Sequence, residues 1–215
     1  PGTNDAITSL LVLPGGDVIV GGAFTVAGGV AANHIARHDP ITGVWSAMGS
    51  GLNGPVNSVV ALPNGDLVVG GRFTNAGGVS ASGIARYNPT THIWSALGAG
   101  VTDSIPDSSL PVVHSLAVIP DGDVIVGGDF TTAGGETANN IARLNPTTNS
   151  WFTMGSGMTA ISGYPTVYAI ANSPGGDVII GGYFREAGGV AANNLACYRP
   201  ATGVWSALGL GASHS

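Results

Sequence analysis

A chain of 215 residues is long enough for one large all-β domain or two small ones. With 36 Gly, 13 Pro, 44% hydrophobic and only 8% charged residues, it suits short apolar strands joined by tight turns and excludes a disordered polyelectrolyte. Its six cationic residues are all arginine and its formal net charge is -6, so nothing can neutralise several phosphates at once and no nucleic-acid partner is expected.

The single cysteine, Cys197, excludes an intrachain disulfide framework and a Cys-rich zinc site, and is expected to be a small buried hydrophobe. No run of about 18 apolar residues escapes interruption by Gly or polar residues, so no membrane span is expected. Residues 1–5 carry no basic or apolar leader pattern, so a signal peptide is expected to be absent or already removed.

In chain order, residues 9–13 (SLLVL) read as a first strand and 14–17 (PGGD) as a tight turn. Residues 17–24 (DVIVGGAF) read as a second strand, apolar on both faces and therefore central. A Gly-rich connection follows over 25–32, then a third strand over 33–39, a turn over 40–43 and a fourth strand over 44–48. The pattern then repeats: PNGDLVVGGRF (63–73), PDGDVIVGGDF (120–130) and PGGDVIIGGYF (174–184) rewrite the segment PGGDVIVGGAF (14–24). Each copy is followed by an AGG turn, an IAR-like strand, a Pro turn and a Trp strand. From Asp17 to Trp45, Asp66 to Trp94, Asp123 to Trp151 and Asp177 to Trp205 the distance is 28 residues each time.

Between units the spacing varies, from 49 to 57 to 54 residues along the repeated Asp, and all of that variation falls in the linkers 49–56, 98–113 and 155–167. A fixed period of about 50 residues with four strands per unit predicts a β-propeller of four four-stranded antiparallel blades, covering approximately 7–49, 56–98, 112–155 and 166–209 as one domain. The Gly pairs 21–22, 70–71, 127–128 and 181–182 fall inside the central strand, where a close approach by a neighbouring sheet would require them.

An apolar run ending in a Gly pair, then Arg86-Tyr87 seven residues ahead of Trp94, or Cys197-Tyr198 ahead of Trp205, resembles the kelch motif. The FTxAGG step followed by IARYNPTTxxWSALG is similar to the repeats of Rax2-like and related bacterial secreted propellers, over about Ile7 to Gly209. The resemblance implies a kelch-type β-propeller at the cell surface or outside the cell, and no particular reaction. Kelch-type propellers include copper-dependent galactose oxidases, but the five His and five Tyr here are scattered singly, without the paired spacing of a ligand set.

The repeated Asp reads as turn chemistry, bonding its own turn backbone. Arg37, Arg86 and Arg143, with Cys197 in the fourth copy, read as structural partners of carboxylates or carbonyls between blades. The Trp residues read as packing on the outer strands. In such a blade the linkers and the AGG loops share one end, and a binding surface is expected there. Its least repetitive members are Asp103, Asp107 and His114, Tyr164 and Tyr168, and Arg72, Asp129, Glu136, Arg185 and Glu186. Asp103, Asp107, His114, Tyr164, Tyr168, Glu136 and Arg185 are the candidate ligand-binding set. Carboxylates with exposed aromatics suit a sugar, or calcium as the one cation their oxygens would take.

No nucleophile, base and orienting group stand together, so no catalytic residue, resident metal or other cofactor is expected. The function expected is a non-catalytic extracellular binding or structural module, with a protein or glycan at the linker end. A lectin is the second reading, and an enzyme of galactose-oxidase or hydrolase type the third. The repeat begins with a first strand and ends with a fourth, so the four blades either close alone or form part of a larger ring. An incomplete ring would expose apolar blade faces and favour self-association.

Overall fold

The computed structural model describes residues 2–103 and 110–209. All of its regular elements are β-strands, and no helix among the described residues is long and apolar enough to cross a membrane. The chain divides into two compact units, Pro1–Gly100 and Val101–Ser215.

The first unit holds two four-stranded antiparallel sheets, each with its strands in sequence order. One runs Ile7–Val12, Val18–Gly22, Ile35–His38 and Trp45–Ala47; the other Val56–Ala61, Leu67–Gly71, Ile84–Asn88 and Ile93–Ala96. The second unit repeats the plan with Val112–Val118, Val124–Asp129, Ile141–Asn145 and Ser150–Thr153, then Thr166–Asn172, Val178–Tyr183, Leu195–Arg199 and Val204–Ala207. The second strand is bonded on both edges of every sheet and is buried almost throughout in the first three, as its uninterrupted apolar run dictates, while in the fourth only Val178 and Ile180 are fully buried. Just beyond it, Phe24, Phe73, Phe130 and Phe184 are fully buried, each contributing about 2 kcal/mol of apolar burial.

The Gly-rich connection is itself ordered. Residues Val26–Ala27 and Val30–Ala31 form a two-residue hairpin, repeated at Asn75–Ala76 with Val79–Ser80, Thr132–Ala133 with Glu136–Thr137, and Glu186–Ala187 with Val190–Ala191. Both turn residues need positive φ, 60° at Gly28 and 86° at Gly29, which the AGG sequence supplies. A Cβ on Gly28 would also lie 2.1 Å from Trp45 Cδ1, so the fourth-strand Trp lies over this hairpin. The segment ahead of each sheet pairs with the hairpin that follows it: Thr3 with Ala27, and in the three linkers Leu52 with Ala76, Val101–Thr102 with Thr132–Ala133, and Met158–Thr159 with Glu186–Ala187. Linkers and AGG loops therefore do share one end of their sheets.

Within each unit, neighbouring sheets meet face to face at the first glycine of the pair. A Cβ on Gly21 would lie 2.5 Å from Val56 Cγ1, and one on Gly127 would lie 2.4 Å from Val167 Cγ1. Ser9 Oγ accepts the Val59 N–H at 3.0 Å, and Ser115 Oγ accepts the Ile170 N–H at the same distance. The second glycine has a different neighbour, the backbone of the first strand in its own sheet: Ala6 O for Gly22, Pro55 O for Gly71, Val112 O for Gly128 and Thr166 O for Gly182.

Three expectations are corrected. The arginines pair within their own sheet: Arg37 with Asp17, Arg86 with Asp66 and Arg143 with Asp123, the last through Nε at 2.6 Å. The repeated carboxylate thus ties its turn to the third strand rather than serving only its own turn. Where Cys197 stands, the role passes two residues along the same strand face to Arg199, which pairs with Asp177 at 3.1 Å. Cys197 itself is half-buried, because its strand face carries this ion pair toward solvent. Three of the tryptophans pack against cross-strand rings, His38 and Trp45 at 4.5 Å between centroids, Tyr87 and Trp94 at 4.8 Å, Tyr198 and Trp205 at 5.0 Å, while Trp151 stands opposite Leu144.

Candidate functional site

One position in every first strand is extra. In the third sheet the register passes from Val113 opposite Gly128 to Ser115 opposite Gly127, leaving His114 as a bulged residue. Thr8, Asn57 and Tyr168 occupy the same place in the other sheets. A bulge aims the extra side chain away from the ladder, so the position can vary without disturbing the sheet. The residue after the Gly pair varies as well: Ala23, Arg72, Asp129 and Tyr183. These two variable positions meet in the third sheet, where His114 Nε2 and Asp129 Oδ2 lie 2.9 Å apart.

On the far side of Asp129 from His114, the second unit holds a cavity of about 660 Å³. Asp103, Asp129, Thr131, Asn139, Tyr164 and Thr166 give it polar groups, and Leu110, Val112, Met158 and Pro165 give it apolar walls. The Tyr164 ring is 68% exposed, leaving one aromatic side open to solvent. The Tyr168 ring lies 5.7 Å from that of His114, centroid to centroid. Burial pushes the Asp129 carboxyl up, but hydrogen bonds from His114 and Thr166 together with the charge of His114 outweigh it and hold the group below its ordinary value. Such a carboxyl adds stability above its unfolded value, near 3.8, and loses that contribution as the pH falls through the lower folded value. Asp129→Asn is therefore expected to flatten the decline of Tm between about pH 4 and pH 2. Thermal melts across that range check this, and superimposable acid limbs for the two proteins would refute it.

Of the seven candidates, Asp103 and Tyr164 line the cavity directly, while His114 and Tyr168 stand behind Asp129. Glu136 sits on the exposed outer strand of the third hairpin, away from the cavity lining. Arg185 donates from Nη1 to Asn193 Oδ1 at 3.0 Å, and its backbone N–H holds Thr159 O at 2.7 Å, so it supports the wall from outside. Asp107 lies outside the described residues. Sequence reasoning placed Asp129 only beside a loop; its signal was a carboxylate at the variable position after the Gly pair. Asn139 and Asn140 were missed. Asn140 is buried at φ 66°, a left-handed position that Gly83 and Asn194 fill in the neighbouring repeats.

Among the described residues no group of three His, Cys, Asp or Glu side chains stands together as a metal set. Among the described residues, the cavity walls carry two carboxylates, Asp103 and Asp129, and no arginine or lysine. Its field suits neutral polyhydroxyl or cationic ligands and opposes anions.

The comparisons agree with this architecture. Two crystal structures of the extracellular domain of BT4673 from B. thetaiotaomicron superpose with TM-scores of 0.59 and 0.61, at 16% and 15% identity. Each match covers 96% of this chain but only 23% and 22% of the other, so the likeness is one of fold. No curated protein matches the chain. Residues 119–147 match a beta-propeller domain of unknown function, DUF5122. Residues 1–110 match the Rax2 C-terminal beta propeller domain. With the repeated antiparallel sheets and a match across half its length, the chain belongs to the family of the Rax2 C-terminal beta propeller domain.

Proposed function

We propose that the chain is a non-catalytic binding module displayed outside the cell, its four sheets serving as propeller blades and its ligand docking at the linker end of the second unit. The carrying observation is the cavity of about 660 Å³, in which Asp103, Asp129 and Tyr164 converge from a linker, a second strand and the next linker. That volume is in the range of small-ligand pockets. The extracellular placement draws on the solved neighbours, which are extracellular domains.

A lectin reading is favoured by one specific feature. Tyr164 offers an exposed ring beside carboxylate and amide oxygens, an arrangement that stacks on the apolar face of a sugar while accepting and donating to its hydroxyls. An array of neutral and amine-bearing oligosaccharides, read with and without calcium, tests it. Binding by the unaltered chain is expected to fall at least about tenfold in Tyr164→Ala and in Asp129→Asn, the loss of roughly one aromatic or hydrogen-bonded contact. A clean negative on the array removes the lectin reading, and binding untouched by both substitutions removes the cavity as its site.

A further inference from the structure

The neutral polar groups of the cavity wall have already committed donors to the protein. Thr159 Oγ1 donates to Glu186 Oε2 at 2.9 Å, and the Thr166 hydroxyl donates to the Asp129 carboxylate. Asn139 Nδ2 donates to Ser156 O at 2.9 Å, and Asn140 Nδ2 to Gly128 O at 3.1 Å. A hydroxyl that has given its one proton offers only lone pairs, and an ionised carboxylate has nothing else to offer. With Asp103 and Asp129 beside Thr159 and Thr166, the wall is rich in acceptors. Charge runs the same way. The second unit contains three arginines, Arg143, Arg185 and Arg199, and no lysine. Arg143 and Arg199 are paired with Asp123 and Asp177 at the turn end of their sheets, away from the linkers. The linkers 98–113 and 155–167 contain no arginine or lysine at any position. At their end of the sheets Arg185 and, when protonated, His114 are the cations set against Asp103, Asp129, Glu136 and Glu186.

We infer that the ligand of this cavity is a sugar carrying a free amine, its ammonium held by Asp129 and Asp103 and its ring laid against Tyr164. The inference rests on the lectin reading above and narrows it to one class of sugar. An ammonium brings three donors and a positive charge to a wall of acceptors. An acetylated amine brings one donor, no charge and a carbonyl oxygen. Against Asp129 that carbonyl sets acceptor on acceptor, so the charge-assisted bond is lost and a desolvated oxygen is left without a partner. A bare metal ion fits less well, since among the described residues no three ligating side chains stand together, and Leu110, Val112, Met158 and Pro165 call for a carbon skeleton.

Titration calorimetry of the full chain tests this with matched pairs of glucosamine and galactosamine oligosaccharides, free or N-acetylated, at a pH where the amine is charged and the carboxylates are ionised. The free amine is expected to bind at least about tenfold more tightly than its acetylated twin, the worth of one charge-assisted hydrogen bond. Asp129→Asn and Asp103→Asn are each expected to shrink that ratio. Tyr164→Ala weakens both members of a pair alike, because the ring touches the sugar face they share. Glu136→Gln removes the same charge from the outer strand of the third hairpin and leaves the ratio unchanged, which separates the cavity from a general attraction of cations to an acidic chain. If Asp129→Asn fails to melt cooperatively, Asp103→Asn carries the comparison. Equal binding of the twins, or a preference for the acetylated one, overturns the inference and leaves the lectin reading standing, whereas silence from every sugar removes both. A ratio that survives both Asp substitutions, or falls as far in Glu136→Gln, overturns the inference as well.

Discussion

Replacing Gly128 by alanine is expected to lower stability by about 3 kcal/mol, measured as a shift in the urea midpoint at unchanged slope. The physical reason is a backbone contact. A Cβ at this position would lie 2.0 Å from Val112 O and 3.0 Å from Val113 Cα, and neither atom can rotate away as a side chain would. The carbonyl comes so close because the bulge at His114 bends the first strand toward the glycine. Relief would require the bulge to open, which would also displace His114 from Asp129. The substitution is thus expected to weaken both the sheet and the cavity wall. Gly15→Ala is the matched control, since an added Cβ there meets nothing and the equivalent positions already carry Asn64 and Asp121. Its effect is expected to stay within about 0.5 kcal/mol. Equal losses for the two substitutions would show that general glycine entropy, and not the close approach, governs the position.

The second large effect is expected at Asp66, where Asp66→Ala should cost about 3 kcal/mol in equilibrium unfolding. This carboxylate is buried and serves donors on three residues: Arg86, through Nε at 2.6 Å and through Nη2, Asn88 Nδ2 at 2.7 Å and Asn64 Nδ2 at 3.1 Å. Asn88 in turn caps the following turn, accepting from the backbone N–H groups of Thr90 and Thr91 at 3.0 and 2.8 Å. Removing the acid leaves a largely covered guanidinium without its counter-charge and frees the side chain that shapes the next turn. Asp177→Ala in the fourth sheet is expected to do much less. Its partner Arg199 is exposed, so water replaces the carboxylate at small cost. A loss at Asp177 as large as that at Asp66 would contradict a dependence on burial.

The repeat made most of the fold legible. A strictly kept interval from Asp to Trp, with Gly pairs and Pro turns at constant offsets, set the four-strand pattern of every repeat and the end at which linkers and AGG loops gather. The hairpins inside the Gly-rich connections were not legible, because strands of two residues carry no periodicity of their own; they are held by pairing with a linker distant in sequence. The Asp and Arg positions were visible, but their pairing was not. That Arg199 takes over from the missing arginine at Cys197 could have been read from its two-residue offset on the same strand face.

For the candidate site, composition and irregularity drew attention to the linkers, and Asp103, His114, Tyr164 and Tyr168 do gather in and around one cavity. Glu136 and Arg185 are equally irregular in sequence but stand apart from its lining, since irregularity marks freedom from the repeat and says nothing of direction. By itself, the sequence determined the strands, their order within each sheet and the elastic end of the scaffold, because these depend on local periodicity and turn chemistry. Only the tertiary structure decided that the bulge turns His114 onto Asp129 and that a cavity opens beside them. Both depend on register and on contacts between residues far apart along the chain, for which no local pattern exists.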